Sequence, residues 1–105
     1  MIKGQTNSNR AEKIASAVQR HVAEILISRG LRATLTGAES HGGLQFVRLF
    51  WQGDRALQSR LDADKTAIRY ELAARMNQKY VPDLQFTYDD TLEKSERIEE
   101  LLKNL

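Results

Sequence analysis

The sequence predicts a two-layer α+β domain, a three-stranded mixed sheet with helices on one face, in the order α-β-β-α(kink)α-β-α. Three observations predict it. Apolar residues recur at steps of three and four in two long stretches and one short one. Apolar and polar residues alternate in three shorter stretches. The only proline, Pro82, stands between the second helical stretch and the third alternating one, where it fixes its own φ and pushes Val81 out of the helical region. A length of 105 residues accommodates one such domain with one modest core.

Residues 1–8 are polar and are expected to be a flexible N-terminus. Ser8 or Asn9 can cap a helix, because a short side-chain oxygen accepts an otherwise unpaired amide of the first turn. From there Ala11, Ile14, Ala15, Val18, Val22, Ile25 and Leu26 form one apolar face, and the helix ends near Gly30. Arg10, Lys13 and Arg20 share another face, with Ala17 in the missing place. Leu31 to Thr36 alternates as a strand, with Ala33 and Leu35 on one side. His41-Gly42-Gly43 is turn chemistry. Leu44 to Trp51 is the second strand of an antiparallel hairpin: Val47, Leu49 and Trp51 on one face, Phe46, Arg48 and Phe50 on the other.

Asp54 is a candidate cap for the next helical segment, whose buried stripe is Leu57, Leu61, Ile68, Leu72 and Met76. That stripe skips a turn at Asp62 to Thr66. Asp64 reads there as a second N-cap, so the segment is expected to break or kink. Its basic residues are Arg55, Arg60, Lys65, Arg69, Arg75 and Lys79. After Pro82, Leu84, Phe86 and Tyr88 alternate as the third strand. Asp90-Thr91-Leu92-Glu93 resembles a capping box, and Ile98, Leu101, Leu102 and Leu105 make the stripe of a last helix. The division is thus a lead-in over 1–8, a core domain over 9–89 and an acidic C-terminal helix over 90–105.

Net charge is +2, but residues 1–82 carry +6 and residues 83–105 carry −4. A basic body suits a polyanion partner. No cysteine is present, which excludes disulfides and thiolate metal sites. No apolar run nears the length of a membrane span, and Met1 to Asn9 lacks the apolar core of a secretory signal. His21 and His41 lack metal-ligand spacing. Asp89-Asp90 at a strand end reads as capping rather than acid–base or magnesium chemistry. Nothing resembles a Ser-His-Asp set or a phosphate-cradling glycine loop, so neither enzyme activity nor a cofactor is expected.

Phe46, Arg48 and Phe50 admit two readings. Unpaired bases stack on aromatic and guanidinium planes. Alternatively the rings pack beneath the last helix, and this is the expectation, since uncovered phenylalanines on a monomer are costly.

The element order matches the type II KH arrangement of RNA-binding domains. More specifically, Arg10-x-x-Lys13-Ile14-Ala15, Ala23-x-Ile25-Leu26, Thr36-Gly37-Ala38-Glu39, Leu44-x-x-Val47-Arg48-Leu49-Phe50 and Ile68-Arg69-x-x-Leu72 lie in register with a closing signature. That signature is Val81-Pro82-Asp83-Leu84-x-Phe86-x-Tyr88-Asp89-x-Thr91-Leu92-Glu93 followed by Arg97-Ile98-x-x-Leu101-Leu102. Over roughly residues 8–102 the chain resembles bacterial ribosome-binding factor A. The resemblance implies a non-enzymatic maturation factor of the small (30S) ribosomal subunit. Such a factor binds the immature particle and its 16S rRNA, leaves before translation, and is associated with 5′-end processing and growth in the cold. The chain is expected to be a cytoplasmic monomer with no membrane or small-molecule partner.

Members of that family lack the Gly-x-x-Gly loop of ordinary KH domains, as does this chain. They bend the helix pair at an Ala-x-Gly, where this chain has Asp64-Lys65-Thr66. A family glycine in the tail is replaced by Ser95. The candidate RNA-binding residues are Arg10, Lys13, Arg20, Arg60, Lys65, Arg69, Arg75 and Lys79, since lysine and arginine gain affinity by neutralising phosphates. The alternative is a protein-interaction or homodimerisation module that uses the acidic helix and the Phe46/Phe50 face without direct RNA binding.

Overall fold

The structure is a computed structural model that describes residues 2–43, 45–77 and 81–105, with side chains from Arg10 onward. Its elements are α1 (Ile2–Ser28), β1 (Thr34–His41), β2 (Phe46–Gln52), α2 (Leu57–Met76), β3 (Asp83–Tyr88) and α3 (Thr91–Lys103). The sheet order is β1-β2-β3, antiparallel between β1 and β2 and parallel between β2 and β3. A parallel pair needs a crossover, and α2 supplies it. The mixed three-stranded sheet and the α+β order are those the sequence predicts.

α1 starts earlier than expected. It runs through Ser8 and Asn9 as helix, so neither is its cap. Extending a nucleated helix fixes one residue per hydrogen bond gained, so polar residues without proline can join it. Its end follows expectation. Gly30, at φ +72°, donates to the Ile27 carbonyl at 3.0 Å, and Leu31 donates to the Leu26 carbonyl at 2.9 Å. This pair of bonds with glycine in the left-handed position satisfies the last carbonyls and turns Leu31 back onto Leu26 in the core.

β1 lies three residues later than the alternation suggests and runs on to His41. Its register against β2 slips at Thr36, between Leu35↔Trp51 and Gly37↔Phe50. The bulge changes the phase of the alternation, so Leu35, Ala38 and Ser40 all pair with the core residues Trp51, Leu49 and Val47. At the far end of β2, Gly53 has φ +146°, and a Cβ there would stand 2.8 Å from the Arg32 carbonyl. No residue with a side chain fits without moving that backbone.

The core lies between one face of the sheet and two helices. Ala15, Val18, Val22, Ile25 and Leu26 of α1 and Leu61, Ile68 and Leu72 of α2 close over Val47, Leu49, Trp51, Leu84 and Phe86. Trp51 is fully buried. Its indole donates to Gln58 Oε1 at 2.9 Å, and the Gln58 amide donates onward to the Phe86 carbonyl at 2.8 Å. A buried indole N–H without that acceptor would cost its full desolvation.

Two expectations fail. α2 is continuous from Leu57 to Met76, with no second start at Asp64. Neither proline nor glycine occurs in it, and the Asp64 carboxylate is engaged by side chains instead of by first-turn amides. It takes Arg60 Nε at 2.9 Å from one turn earlier and Arg29 Nη2 at 3.5 Å from the end of α1. Nor does α3 cover the sheet. Among the described residues it packs on no other helix or strand, and every residue from Thr91 to Leu105 is exposed. Leu92, Ile98, Leu101 and Leu102 are 57–63% exposed. The molecule is 18 Å across its thinnest direction, room for one sheet and one layer of helices.

The start of α3 explains its direction. Asp90 is the N-cap residue but makes no side-chain cap; Asp89 caps in its place. One Asp89 oxygen accepts the Thr91 amide at 3.0 Å, and the other accepts the Thr36 hydroxyl of the β1 bulge at 2.7 Å. Glu93 turns away from the helix end to meet Arg55 at 2.7 Å, and the Arg55 guanidinium lies 4.2 Å from the Tyr88 ring centroid. These contacts fix the root of α3 beside the end of β3 while the remaining turns stand clear. Among the described residues no helix is long and apolar enough to cross a membrane.

Candidate nucleic-acid interface

The eight candidate cations separate into groups. Arg10, Lys13 and Arg20 are exposed on α1, and no carboxylate among the described residues pairs with them. Lys13 and Arg20 line one shallow recess together with Glu12, Ser16 and Ala17. This face exists because residues three, seven and ten apart return to one side of a helix whose other side is held in the core. The small side chains of Ser16 and Ala17 leave the two cations standing above the helix surface between them.

The cations of α2 are mostly occupied. Arg60 is bound to Asp64. Arg75 meets Glu24 of α1 at 2.9 Å, with both groups exposed. Exposed pairs of this kind contribute little and are exchangeable against a phosphate. Arg69 differs. Its guanidinium donates to the Val81 carbonyl at 2.8 Å and the Pro82 carbonyl at 3.2 Å. It anchors the chain where it enters β3, at a proline that supplies no amide of its own. Lys65 has no carboxylate partner among the described residues. Lys79 lies outside the described residues.

The bridges between helices also fix distances. Glu24 meets Arg75 while Arg29, further along α1, meets Glu71 at 2.9 Å and Asp64. Advancing along α1 therefore goes backward along α2, and the helices run antiparallel. Lys65 sits beside the Arg29 end of α1, and Lys13 is about 24 Å up that helix. The structure thus gathers Arg10, Lys13 and Arg20 on one face and sets Lys65 apart from them.

Electrostatics reinforce this division. The hydrogen bond from Arg60, opposed by burial and joined by Arg29, holds the Asp64 carboxyl below its ordinary range. Glu71 and Asp64 together raise the Arg29 guanidinium above its ordinary value. The negative charge of Asp64 is thereby screened by two arginines. The Asp89 carboxyl is likewise held low, by its hydrogen bonds to Thr91 and Thr36.

The outer face of the sheet supplies a second set of residues, absent from the candidates. Register places His41, Phe46 and Asp83 in one row across the three strands, Glu39, Arg48 and Gln85 in the next, and Gly37, Phe50 and Thr87 in the third. The imidazole of His41 stacks on Phe46, with centroids 4.9 Å apart and planes 11° from parallel. The Arg48 guanidinium is 6.0 Å from the Phe46 centroid, and its Nε is 3.4 Å from Gln85 Oε1. The alternation of β2 announces this face, but its being open depends on where α3 goes.

The fold and site define a small α+β domain with a basic helix face and a sheet face that no described helix covers. The family model of ribosome-binding factor A matches residues 10–102. The chain belongs to the ribosome-binding factor A family. It is similar to the ribosome-binding factor A of Trichlorobacter lovleyi, 32% identical over an alignment of 108 positions that covers 91% of this chain and 87% of that one. That of Limosilactobacillus fermentum is 33% identical, with 91% and 90% covered. The crystal structure of ribosome-binding factor A from Thermus thermophilus superposes with a TM-score of 0.64 over 72% of this chain and 91% of that one. At 14% identity that likeness shows the fold.

Proposed function

We propose that this protein is a cytoplasmic assembly factor of the small ribosomal subunit. It binds free or immature 30S particles through their 16S rRNA and supports processing of the 5′ end, without enzymatic activity or a cofactor, as a monomer that favours growth in the cold. The observation that carries the reading is the trio Arg10, Lys13 and Arg20, exposed on one helix face without acidic partners among the described residues, in a chain whose relatives are named for binding ribosomes. Lys65 adds a separate contact, and Arg60 and Arg75 can exchange their carboxylates for phosphates. Binding through several phosphates releases counterions and weakens steeply with salt.

The test is sedimentation of cell extract on a low-magnesium gradient at two salt concentrations, with this protein followed across the fractions. Enrichment with free small subunits that is lost at the higher salt is the expected result. Migration at the top of both gradients would overturn the reading. A second reading, a protein-interaction module without direct RNA binding, is favoured by one observation: α3 exposes Ile98, Leu101, Leu102 and Leu105 to solvent.

A further inference from the structure

We infer that the outer face of the sheet is a second RNA site, a platform on which unpaired nucleobases stack and are read at their edges. This rests on the RNA-binding reading above and adds to it a ligand chemistry and a place that the basic helix face does not supply.

No element among the described residues covers that face. α1 and α2 lie on the opposite side, and α3 leaves the sheet at Asp89 without returning. The open rows are not those of an ordinary solvated sheet face. The central strand carries Phe46, Arg48 and Phe50 at alternate positions, about 7 Å apart, roughly twice the spacing of stacked rings. Every one of these three side chains has a planar face. His41 already stacks on Phe46, so the geometry for parallel π-stacking exists in the protein itself. Phe46 and Phe50 are half-buried; Phe50 is flanked across the sheet by Gly37 and Thr87, and its Cδ2 lies 3.8 Å from where a Cβ at Gly37 would stand, so the ring leans over the glycine with its outer face uncovered by any described helix.

The middle row selects the ligand. Glu39, Arg48 and Gln85 offer a carboxylate acceptor, a guanidinium fork and an amide, the groups that read base edges. Glu39, opposite Arg48 in the register and 3.2 Å from His41 Nε2, brings negative charge to this row, so a phosphate backbone finds no uniformly basic track here. A duplex, which hides its base faces, has nothing to gain here. Single-stranded RNA with splayed bases does. An apolar protein surface is the poorer fit, because it would bury the planar polar row without partners.

The test uses the whole chain and a short single-stranded RNA of about six nucleotides, with an abasic strand of the same length and a hairpin duplex as controls. Amide shifts are followed by NMR. The base-bearing strand should move β2 resonances from Phe46 to Phe50, and the abasic strand should not. Phe46→Leu and Phe50→Leu keep apolar bulk but remove the rings, and each should weaken the single strand about tenfold while leaving the duplex unaffected. Affinity lost with the rings should depend weakly on salt. Lys13→Glu with Arg20→Glu should instead weaken single strand and duplex together. Equal β2 shifts with base-bearing and abasic strands, or unchanged single-strand affinity in both leucine variants, would overturn the platform. So would concentration-dependent β2 shifts in the protein alone, the sign of a protein partner on this face. Retained, salt-sensitive cosedimentation with small subunits would then leave the functional reading standing. Should the leucine variants not fold, the comparison of base-bearing and abasic strands on the unaltered protein decides.

Discussion

Arg69 Nη2 lies 2.8 Å from the carbonyl oxygen of Val81, and this contact gives a candidate RNA-binding cation a structural role. Its neighbour Pro82 accepts a second bond at 3.2 Å. Both carbonyls precede the ladder of β3, and no backbone amide among the described residues donates to them. A guanidinium with two directed donors suits such a pair better than a lysine would.

Arg69→Gln should therefore lower stability by about 1–2 kcal/mol, the scale of charge-assisted hydrogen bonds lost at a partly buried site. Urea denaturation measures it. Small-subunit binding at a temperature where the variant is folded should stay close to that of the parent protein.

The opposite pattern is expected on α1. Lys13→Glu with Arg20→Glu touches no ion pair and no core contact among the described residues, so the denaturation midpoint should hold. Small-subunit affinity should fall by about tenfold or more, and the dependence of log affinity on log salt should flatten by between one and two phosphate contacts. Titration at several salt concentrations measures both quantities.

How far the sequence led can be judged from these two cases. Lys13 and Arg69 are both basic residues at helical spacing, and periodicity ranks them alike. Periodicity predicts α1, α2, the three strands and the mixed sheet, because each rests on a local spacing that the core then enforces. What it leaves open depends on neighbours distant in sequence. The occupation of Arg69 depends on the turn at Pro82. At the middle of α2, Asp64 is met by Arg29 from the end of α1, a contact no local spacing announces. The bulge at Thr36 places its hydroxyl on Asp89, 53 residues further along the chain. The apolar stripe of α3 is legible, but a stripe states that a helix is amphipathic and not what it meets.

Asp64 offers a pH test. Its carboxyl is held below the ordinary range by Arg60 and Arg29 in the folded state. A carboxyl depressed on folding contributes stability that is present above its unfolded pKa and lost as pH falls through the folded one. Asp64→Asn should remove part of the acid destabilisation, leaving a flatter midpoint-against-pH curve below the ordinary carboxylate range. Asp89, depressed by Thr91 and Thr36, should act with the same sign, so Asp89→Asn flattens the curve further.

Thr66→Gly places a glycine beside the Arg60–Asp64–Arg29 contacts in the middle of α2. Thr66 is exposed in the middle of α2, away from the core. Glycine there should cost up to about 1 kcal/mol through backbone entropy and loosen the helix on both sides. Hydrogen exchange should rise for amides from Ala67 to Tyr70 and stay slow for Leu26 and Trp51. Unchanged exchange within α2 would mean that the Arg60–Asp64–Arg29 contacts hold the helix whatever residue follows them.

α3 is where the structure departs furthest from expectation. If the helix covered Phe46 and Phe50, then Leu101 and Leu102 would be core residues, and replacing either with lysine would bury a charge at a cost of several kcal/mol. In the structure Leu101 and Leu102 are 63% and 62% exposed. Leu101→Lys with Leu102→Lys should then shift the global unfolding midpoint by an amount equivalent to no more than about 0.5 kcal/mol. The same double change should leave the amide shifts of β2 in place, since no ring of the open face rests on α3. A large loss of stability, or β2 shifts on mutating α3, would mean that the helix does return to the sheet and that the open face is closed in solution.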